Sequence, residues 1–358
     1  MNLLYLISYA GRAGTEKYVY DLMELFSARG HTCHLAFQEG GELSEKAERA
    51  GYPVLRLDLR PVRTLSAARK LAAYCRDHQI TAIHAQYPRE NVIAVLSRLW
   101  RRETRVVFTG HLSIRQGAAW RLVNRLITPR DAAVVALYDT GAALLRDNGV
   151  CPDRIRVIPN GVRPRPLPEK LNAIRQEYGL AGDTFIFLTF ARYAPEKGLF
   201  FLLNAAARLR ELTDRPFAVV IAGDGEEYGM ISRRIRELGL ETQVIQAGYR
   251  TDTETLLRSA DAYVSSALFN EAMSFSILEA MSCALPLAVT DVGAGRELCR
   301  GCGTACAPGD TEAMAENLLS LLVDPERSAA LGREAYRRVT TEYDLDRSAD
   351  ALAALYEE

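Results

Sequence analysis

Residues 269–291 read FNEAMSFSILEAMSCALPLAVTD. Two carboxylates, Glu271 and Glu279, flank a turn carrying Ser274, Phe275 and Ser276, and Ile277, Leu278, Ala280 and Met281 begin an apolar helical face. A polar turn that feeds a helix start presents backbone N–H groups without intrahelical acceptors, together with the positive end of the helix dipole. Both favour an anion, phosphate above all. Carboxylates beside such a seat accept hydrogen bonds from hydroxyls, as on a sugar and a ribose. The stretch therefore reads as a seat for a nucleotide-sugar diphosphate. A plainer reading competes with it. Ser276-x-x-Glu279 has the form of a capping box, which makes Glu279 a structural N3 residue, and Glu271 a solvated loop charge. The stretch ends in the apolar run 287–289, so loop, helix and strand follow one another as in an α/β chain.

That alternation extends both ways along the chain. Upstream of a break at 159–170, short apolar runs at 3–8, 33–37, 54–57, 82–85, 106–109 and 133–137 read as strands. Most are separated by helical patterns. In 16–29, Val19, Leu22, Met23 and Phe26 share one face, and Gly30 stands where a C-terminal cap is expected. The break itself, PNGVRPRPLPEK, has an Asn-Gly turn and four prolines in twelve residues, a stiff linker. Beyond it, strand candidates resume at 185–190, 217–222, 244–246, 263–265 and 287–289. The reading is two doubly wound α/β domains, 1–162 and 163–340, followed by a terminal helix at 341–358. Such sheets bind ligands at the carboxyl ends of their strands, which points to a cleft between the domains.

At 358 residues the chain suits two domains. No apolar run approaches the roughly 18 residues of a membrane span, and LLYLIS near the start lacks the basic flank of a signal peptide. Seven cysteines without a regular framework suggest a reducing cytoplasm. The net charge of −1 hides an asymmetry: residues 1–165 hold 25 basic and 15 acidic residues, the remainder 19 and 30. The first half thus faces something anionic. Its densest part, 98–130, holds Arg98, Arg101, Arg102, Arg105, Arg115, Arg121, Arg125 and Arg130 against one acid, Glu103, and contains both tryptophans, Trp100 and Trp120. Three readings stay open: peripheral contact with an anionic membrane, an anionic polysaccharide acceptor, or a solvated helix pair with its tryptophans in the core. No nucleic-acid partner is expected.

Other motifs sit on loops. Gly11-Arg12-Ala13-Gly14 lies between the first strand and helix, where glycines let backbone approach a phosphate or sugar. Arg192 and Lys197, in RYAPEKG, follow the first strand of the second domain, where cations neutralise phosphate. Two solvated cations are the alternative. His111 follows strand 106–109 and is a candidate polar contact or acid/base group. Cys299-x-x-Cys302-x-x-x-Cys306 lacks the fourth ligand of a zinc site and reads as reduced structural thiols. Asp344-Leu345-Asp346 has the form of a metal-binding DxD, for which chance is the better account.

Taken jointly and in order, these residues resemble the retaining glycosyltransferases of family 4, with the GT-B fold, over essentially the whole chain. Gly14-Thr15-Glu16 is similar to the family's glycine loop, Arg192 with Lys197 to its phosphate-binding pair, and Ala222-Gly223-Asp224-Gly225 to its Gly-Asp-Gly turn. Glu271 and Glu279 are similar to its glutamate pair. Val292-Gly293-Ala294 up to Glu297, and Pro308-Gly-Asp310, fall in family order. The resemblance implies roles. Arg192 and Lys197 hold the diphosphate, Glu271 contacts the donor-sugar hydroxyls and Glu279 the ribose. The amides of Phe275 and Ser276 meet phosphate, and His111 contacts the sugar near the reacting carbon. The last helix crosses back to the first domain. Departures occur at Ala272, Ser274 and Ala13, where glycine is common, and leave the donor sugar open.

The expectation is a hexosyltransferase-type enzyme. It moves sugar from a nucleotide-sugar, expected to be a UDP-sugar, to a glycan or lipid-linked acceptor in cell-envelope synthesis. It is cytoplasmic or at the inner face of the membrane, and needs neither metal nor cofactor. A nucleotide-sugar 2-epimerase of the same fold, or a silent nucleotide- or glycan-binding partner subunit, are the alternatives.

Overall fold

A computed structural model describes residues 1–111, 113–163 and 166–357. Leu112 in the arginine-rich segment, Pro164 and Arg165 in the linker, and Glu358 at the end of the expected terminal helix lie outside the described residues. The chain divides into two compact units. Unit 1 comprises Met1–Asn160 with the chain from Leu345 onward, and unit 2 comprises Gly161–Asp344.

In unit 1, described strands β1 (Asn2–Ala10), β2 (Thr32–Gly40), β3 (Val54–Arg56), β4 (Ala82–Ala85), β5 (Arg105–Gly110), β6 (Ala133–Ala136) and β7 (Ile155–Val157) form one sheet in the order β3-β2-β1-β4-β5-β6-β7. All pairings are parallel. Leu3, Leu4, Tyr5, Leu6 and Ile7 of β1 are all buried, the continuous apolar run of a parallel strand covered on both faces. The helix Gly14–Ala28 starts two residues before the expected 16–29 and buries Val19, Leu22, Met23 and Phe26. β7 was not anticipated. Only Ile155 of its three residues is buried, so this edge strand has no apolar run to betray it.

In unit 2, β8 (Phe185–Phe190), β9 (Phe217–Ala222), β10 (Val244–Gly248), β11 (Ala262–Ser265), β12 (Leu287–Thr290) and β13 (Gly303–Cys306) lie in the order β10-β9-β8-β11-β12-β13, again parallel. Each sheet therefore reverses its strand order once, between β1 and β4 and between β8 and β11. Ligands of doubly wound sheets bind at the carboxyl ends flanking such a reversal. The core beneath β8 and β9 joins Phe187, Val219 and Ile221 to Leu202, Leu209 and Leu318.

The last helix, Leu345–Glu357, belongs to unit 1. Arg29 reaches Asp346 at 2.6 Å and Asp350 at 2.7 Å, and the Tyr356 ring lies 5.6 Å from that of Phe26. Asp346 of the DxD triplet thus serves an ion pair.

Candidate functional site

The charged loops of unit 2 collect behind β8 and β11. After β8 the chain passes through a short turn, Pro195–Lys197, into the helix Leu199–Leu212. Gly198 stands between them at φ 62°, and a Cβ there would lie 2.2 Å from the carbonyl oxygen of Ser266. Only a residue without a side chain allows this approach. The two loops are stitched at this contact: Ser266 Oγ donates to the Lys197 carbonyl at 2.8 Å, and the Leu268 N–H to the Glu196 carbonyl at 2.8 Å. Lys197 Nζ consequently reaches Glu271 Oε2 at 2.5 Å, with both side chains mostly buried. Arg192 pairs with Glu196, its own side chain in solvent. Burial alone would raise the Glu196 carboxyl, but Arg192, the backbone and Lys197 outweigh it and hold it below the usual range.

Glu271 is aimed by its neighbours. Asn270 lies at φ 56°, a left-handed conformation that asparagine tolerates better than most residues. From the other side Gly293, at φ 59°, fits where a Cβ would meet the Ala272 and Glu271 carbonyls at 2.2 and 2.3 Å, and the Ala294 N–H donates to Ala272 at 2.7 Å.

The helix Phe275–Ser282 has Ser274 as its N-cap, without a side-chain cap bond, and Ser274 Oγ lies 2.8 Å from Ser276 Oγ. Phe275 and Ser276 are then the first two helical residues, whose N–H groups lack intrahelical acceptors by construction. Glu279 is the fifth helical residue. The capping-box reading fails, because that box needs the carboxylate at N3. Beneath the turn lies a residue the sequence reading missed. Tyr263 of β11 is fully buried, and its hydroxyl accepts the Phe190 N–H at 3.2 Å. Burial pushes its pKa up against hydrogen bonds from Ser276 and Phe190, and the charges of Glu279 and Glu271 add to the rise. Its signal in the sequence was a tyrosine in an otherwise small and aliphatic strand, whose hydroxyl needs a partner once buried.

Unit 1 carries Gly14 and His111. Gly14 is the first residue of its helix, after an extended Ala13. Glu16 beside it is buried, which raises its carboxyl against backbone N–H groups of Glu16, Gly11 and Ala13. His111 follows β5, its Nε2 at 2.9 Å from Gln86 Oε1. The fully buried Gln86 donates its Nε2 to the His84 carbonyl at 3.0 Å. A carbonyl only accepts, so Gln86 Oε1 must face His111, and His111 must carry its proton on Nε2 and its lone pair on Nδ1. Burial pushes the pKa of His111 down to about 3. The edge of Tyr18 meets its ring, with centroids 5.0 Å apart. Below, His84 is held between Tyr356 Oη and Thr109 Oγ1, each at 2.7 Å, and burial lowers it to about 3 as well. Both imidazoles are neutral at pH 7.

Two other motifs resolve. Trp100 and Trp120 are exposed, so the reading that placed them in the core fails. Cys299, Cys302 and Cys306 are buried free thiols, with Cys302 Sγ donating to Leu298 O at 3.1 Å. Among the described residues, no group of three or more His, Cys, Asp or Glu side chains is placed to hold a metal, and no helix is long and apolar enough to cross a membrane.

Comparison with known proteins agrees with this geometry. The family model for Glycosyltransferase Family 4 matches residues 12–165, and that for Glycosyl transferases group 1 matches residues 171–338. The fold is GT-B, and the chain belongs to the family 4 glycosyltransferases. EpsD of Bacillus subtilis is 25% identical over 347 residues, covering 92% of this chain and 90% of its own. The lipopolysaccharide core biosynthesis mannosyltransferase LpsB of Rhizobium meliloti is 28% identical over 288 residues, covering 76% and 78%. The structure of HepE from Anabaena, in complex with UDP and glucose, superposes with a TM-score of 0.83 at 20% identity, covering 99% of both chains.

Proposed function

We propose that this glycosyltransferase transfers a hexosyl group from a UDP-sugar to a glycan or lipid-linked acceptor of the cell envelope, with retention at the anomeric carbon. Its place is the cytoplasm, at the inner face of the membrane. The observation that carries the reading is the pairing of Lys197 with Glu271 beside the start of the helix Phe275–Ser282. A cation, a carboxylate and a helix N-terminus sit together at the strand-order reversal. An arriving diphosphate takes the charge of Lys197 and Arg192 and the N–H groups of Phe275 and Ser276. Glu271 is then released to the donor-sugar hydroxyls, and Glu279 takes the ribose. Gly14 lets the backbone of unit 1 approach the substrate, and neutral His111 offers Nδ1 as an acceptor to a sugar hydroxyl.

The reaction breaks the bond between the anomeric carbon and the diphosphate oxygen. It forms one to the acceptor oxygen on the same face, and the acceptor proton passes to the departing phosphate. Most of the acceleration comes from positioning and from charge stabilisation of that phosphate. Two cations and a helix dipole supply the neutralisation, so the activity needs no metal. The UDP bound to HepE and the acceptor class in the name of LpsB support the choice of donor and pathway.

The test is incubation with UDP-sugars, with and without envelope glycan or lipid-linked acceptors, in EDTA, reading the product anomer by NMR. Retained glycoside formed in EDTA agrees with the proposal. Epimerised donor without acceptor favours the 2-epimerase. Activity lost in EDTA and restored by magnesium or manganese contradicts metal independence.

A further inference from the structure

The helix Ala118–Ile127 is almost wholly exposed, and Asn124 is its one buried residue. It is tethered by polar bonds. Asn124 Nδ2 donates to the Asn148 carbonyl at 2.8 Å and to Gln116 Oε1 at 2.7 Å, and Thr128 Oγ1 donates to the Asn124 carbonyl at 2.7 Å. Ile127 packs against the core, but three apolar side chains are left in solvent: Leu122 and Leu126 are each 58% exposed and Trp120 36%. The neighbouring turn leaves Leu99 and Trp100 outside as well, at 66% and 48%. Arg98, next to that turn, bonds the Arg130 carbonyl just beyond the helix, which ties the two segments together. A surface helix ordinarily turns its apolar stripe to the core. Here much of the stripe, Trp120, Leu122 and Leu126, faces outward among arginines.

We infer that this face is a docking surface for anionic lipid headgroups, with the helix Ala118–Ile127 lying in the plane of the interface. The inference rests on the reading of an acceptor at a membrane, and it names the surface that reaches it. Helices of this kind bury their apolar face at the headgroup boundary while basic residues meet anionic lipid, and tryptophan prefers that depth. The arginines of 98–130 with Glu103 as the single acid supply the charge. A second copy of this chain would bring the same positive charge against it. A soluble polyanion would satisfy the arginines and leave the leucines and tryptophans wet. A lipid surface satisfies both.

The chain's two tryptophans both lie in this patch, so tryptophan emission, excited where tyrosine does not absorb, reports on it alone. With phosphatidylglycerol vesicles at low salt, the protein should sediment and its emission shift to the blue. With phosphatidylcholine vesicles the bound fraction should fall at least tenfold. Leu122→Ser with Leu126→Ser should cut sedimentation on phosphatidylglycerol at least tenfold, and Arg121→Glu with Arg125→Glu should abolish it. Both pairs should leave the melting temperature and calorimetric UDP affinity unchanged. UDP affinity is the separate arm: its absence in the wild type would refute the donor reading without touching the docking result. Protein that stays in the supernatant with phosphatidylglycerol overturns the inference. So does sedimentation that the leucine pair leaves intact while dextran sulfate competes fully, which would mark a polysaccharide surface.

Discussion

Behind β8 and β11, polar side chains meet as ions: Lys197 with Glu271 and Arg192 with Glu196. Behind β4 and β5 they meet as neutral groups: His111 with Gln86, and His84 with Thr109 and Tyr356. The difference follows from the partners each group meets. The ions keep partial contact with water and pair with one another in a half-buried loop. The imidazoles are packed among neutral groups, with His84 buried, and desolvation without a neighbouring carboxylate makes them shed their protons instead. An ionic site holds its charges in place until a ligand charge replaces one partner, and so suits a diphosphate. A neutral network has no charge to exchange and suits hydroxyls.

The comparison breaks most visibly at the backbone. Gly293→Ala forces a Cβ against two carbonyls behind Glu271, and should destabilise unit 2 by more than about 3 kcal/mol in denaturant titration. Gly30→Ala in unit 1, at φ +83° with open space around it, should cost only about 1 kcal/mol. A smaller but more specific effect is expected at the ion pair. Lys197→Ala should weaken UDP binding by about 1.5–3 kcal/mol in calorimetry. Arg192→Ala, whose side chain is mostly in solvent, should cost less.

The neutral side is probed by pH. His111 has a folded pKa below its unfolded value, so the unfolded chain binds the extra proton and stability drains away as pH falls below about 6.5. Relative to His111→Asn, the wild type should lose up to about 1.4 kcal/mol per pH unit between pH 6 and 4. The raised carboxyls Glu16, Glu90 and Asp131 act with the opposite sign and cancel in this difference. Parallel melting curves for the two proteins would mean that His111 titrates normally. The smallest effect belongs to Glu279→Ala. With Ser274 as the cap, it should leave the melting temperature within a degree or two and weaken UDP by about 1 kcal/mol.

Much of this was legible in the sequence wherever burial leaves a continuous apolar trace. The strands next to each reversal, β1, β4, β8 and β11, were found, and with them the loops bearing Arg192, Lys197, Glu271 and His111. What escaped was of two kinds. Short edge strands such as β7 bury too few side chains to leave a pattern. Supporting groups such as Tyr263 and Gln86 act through atoms brought together only by packing, and nothing in their local sequence marks the partner. The start of the helix Phe275–Ser282 lay between two serines, and the choice of Ser274 over Ser276 decided what Glu279 can do.

The exchange of ionic partners is tested most directly by calorimetric titration of UDP into Glu271→Gln. Removing that carboxylate frees Lys197 for the diphosphate, so UDP should bind at least as tightly as to the wild type while sugar transfer is lost. A fall in UDP affinity matching that of Lys197→Ala would contradict the account, because Glu271 would then be holding the nucleotide or the loop rather than waiting for the sugar.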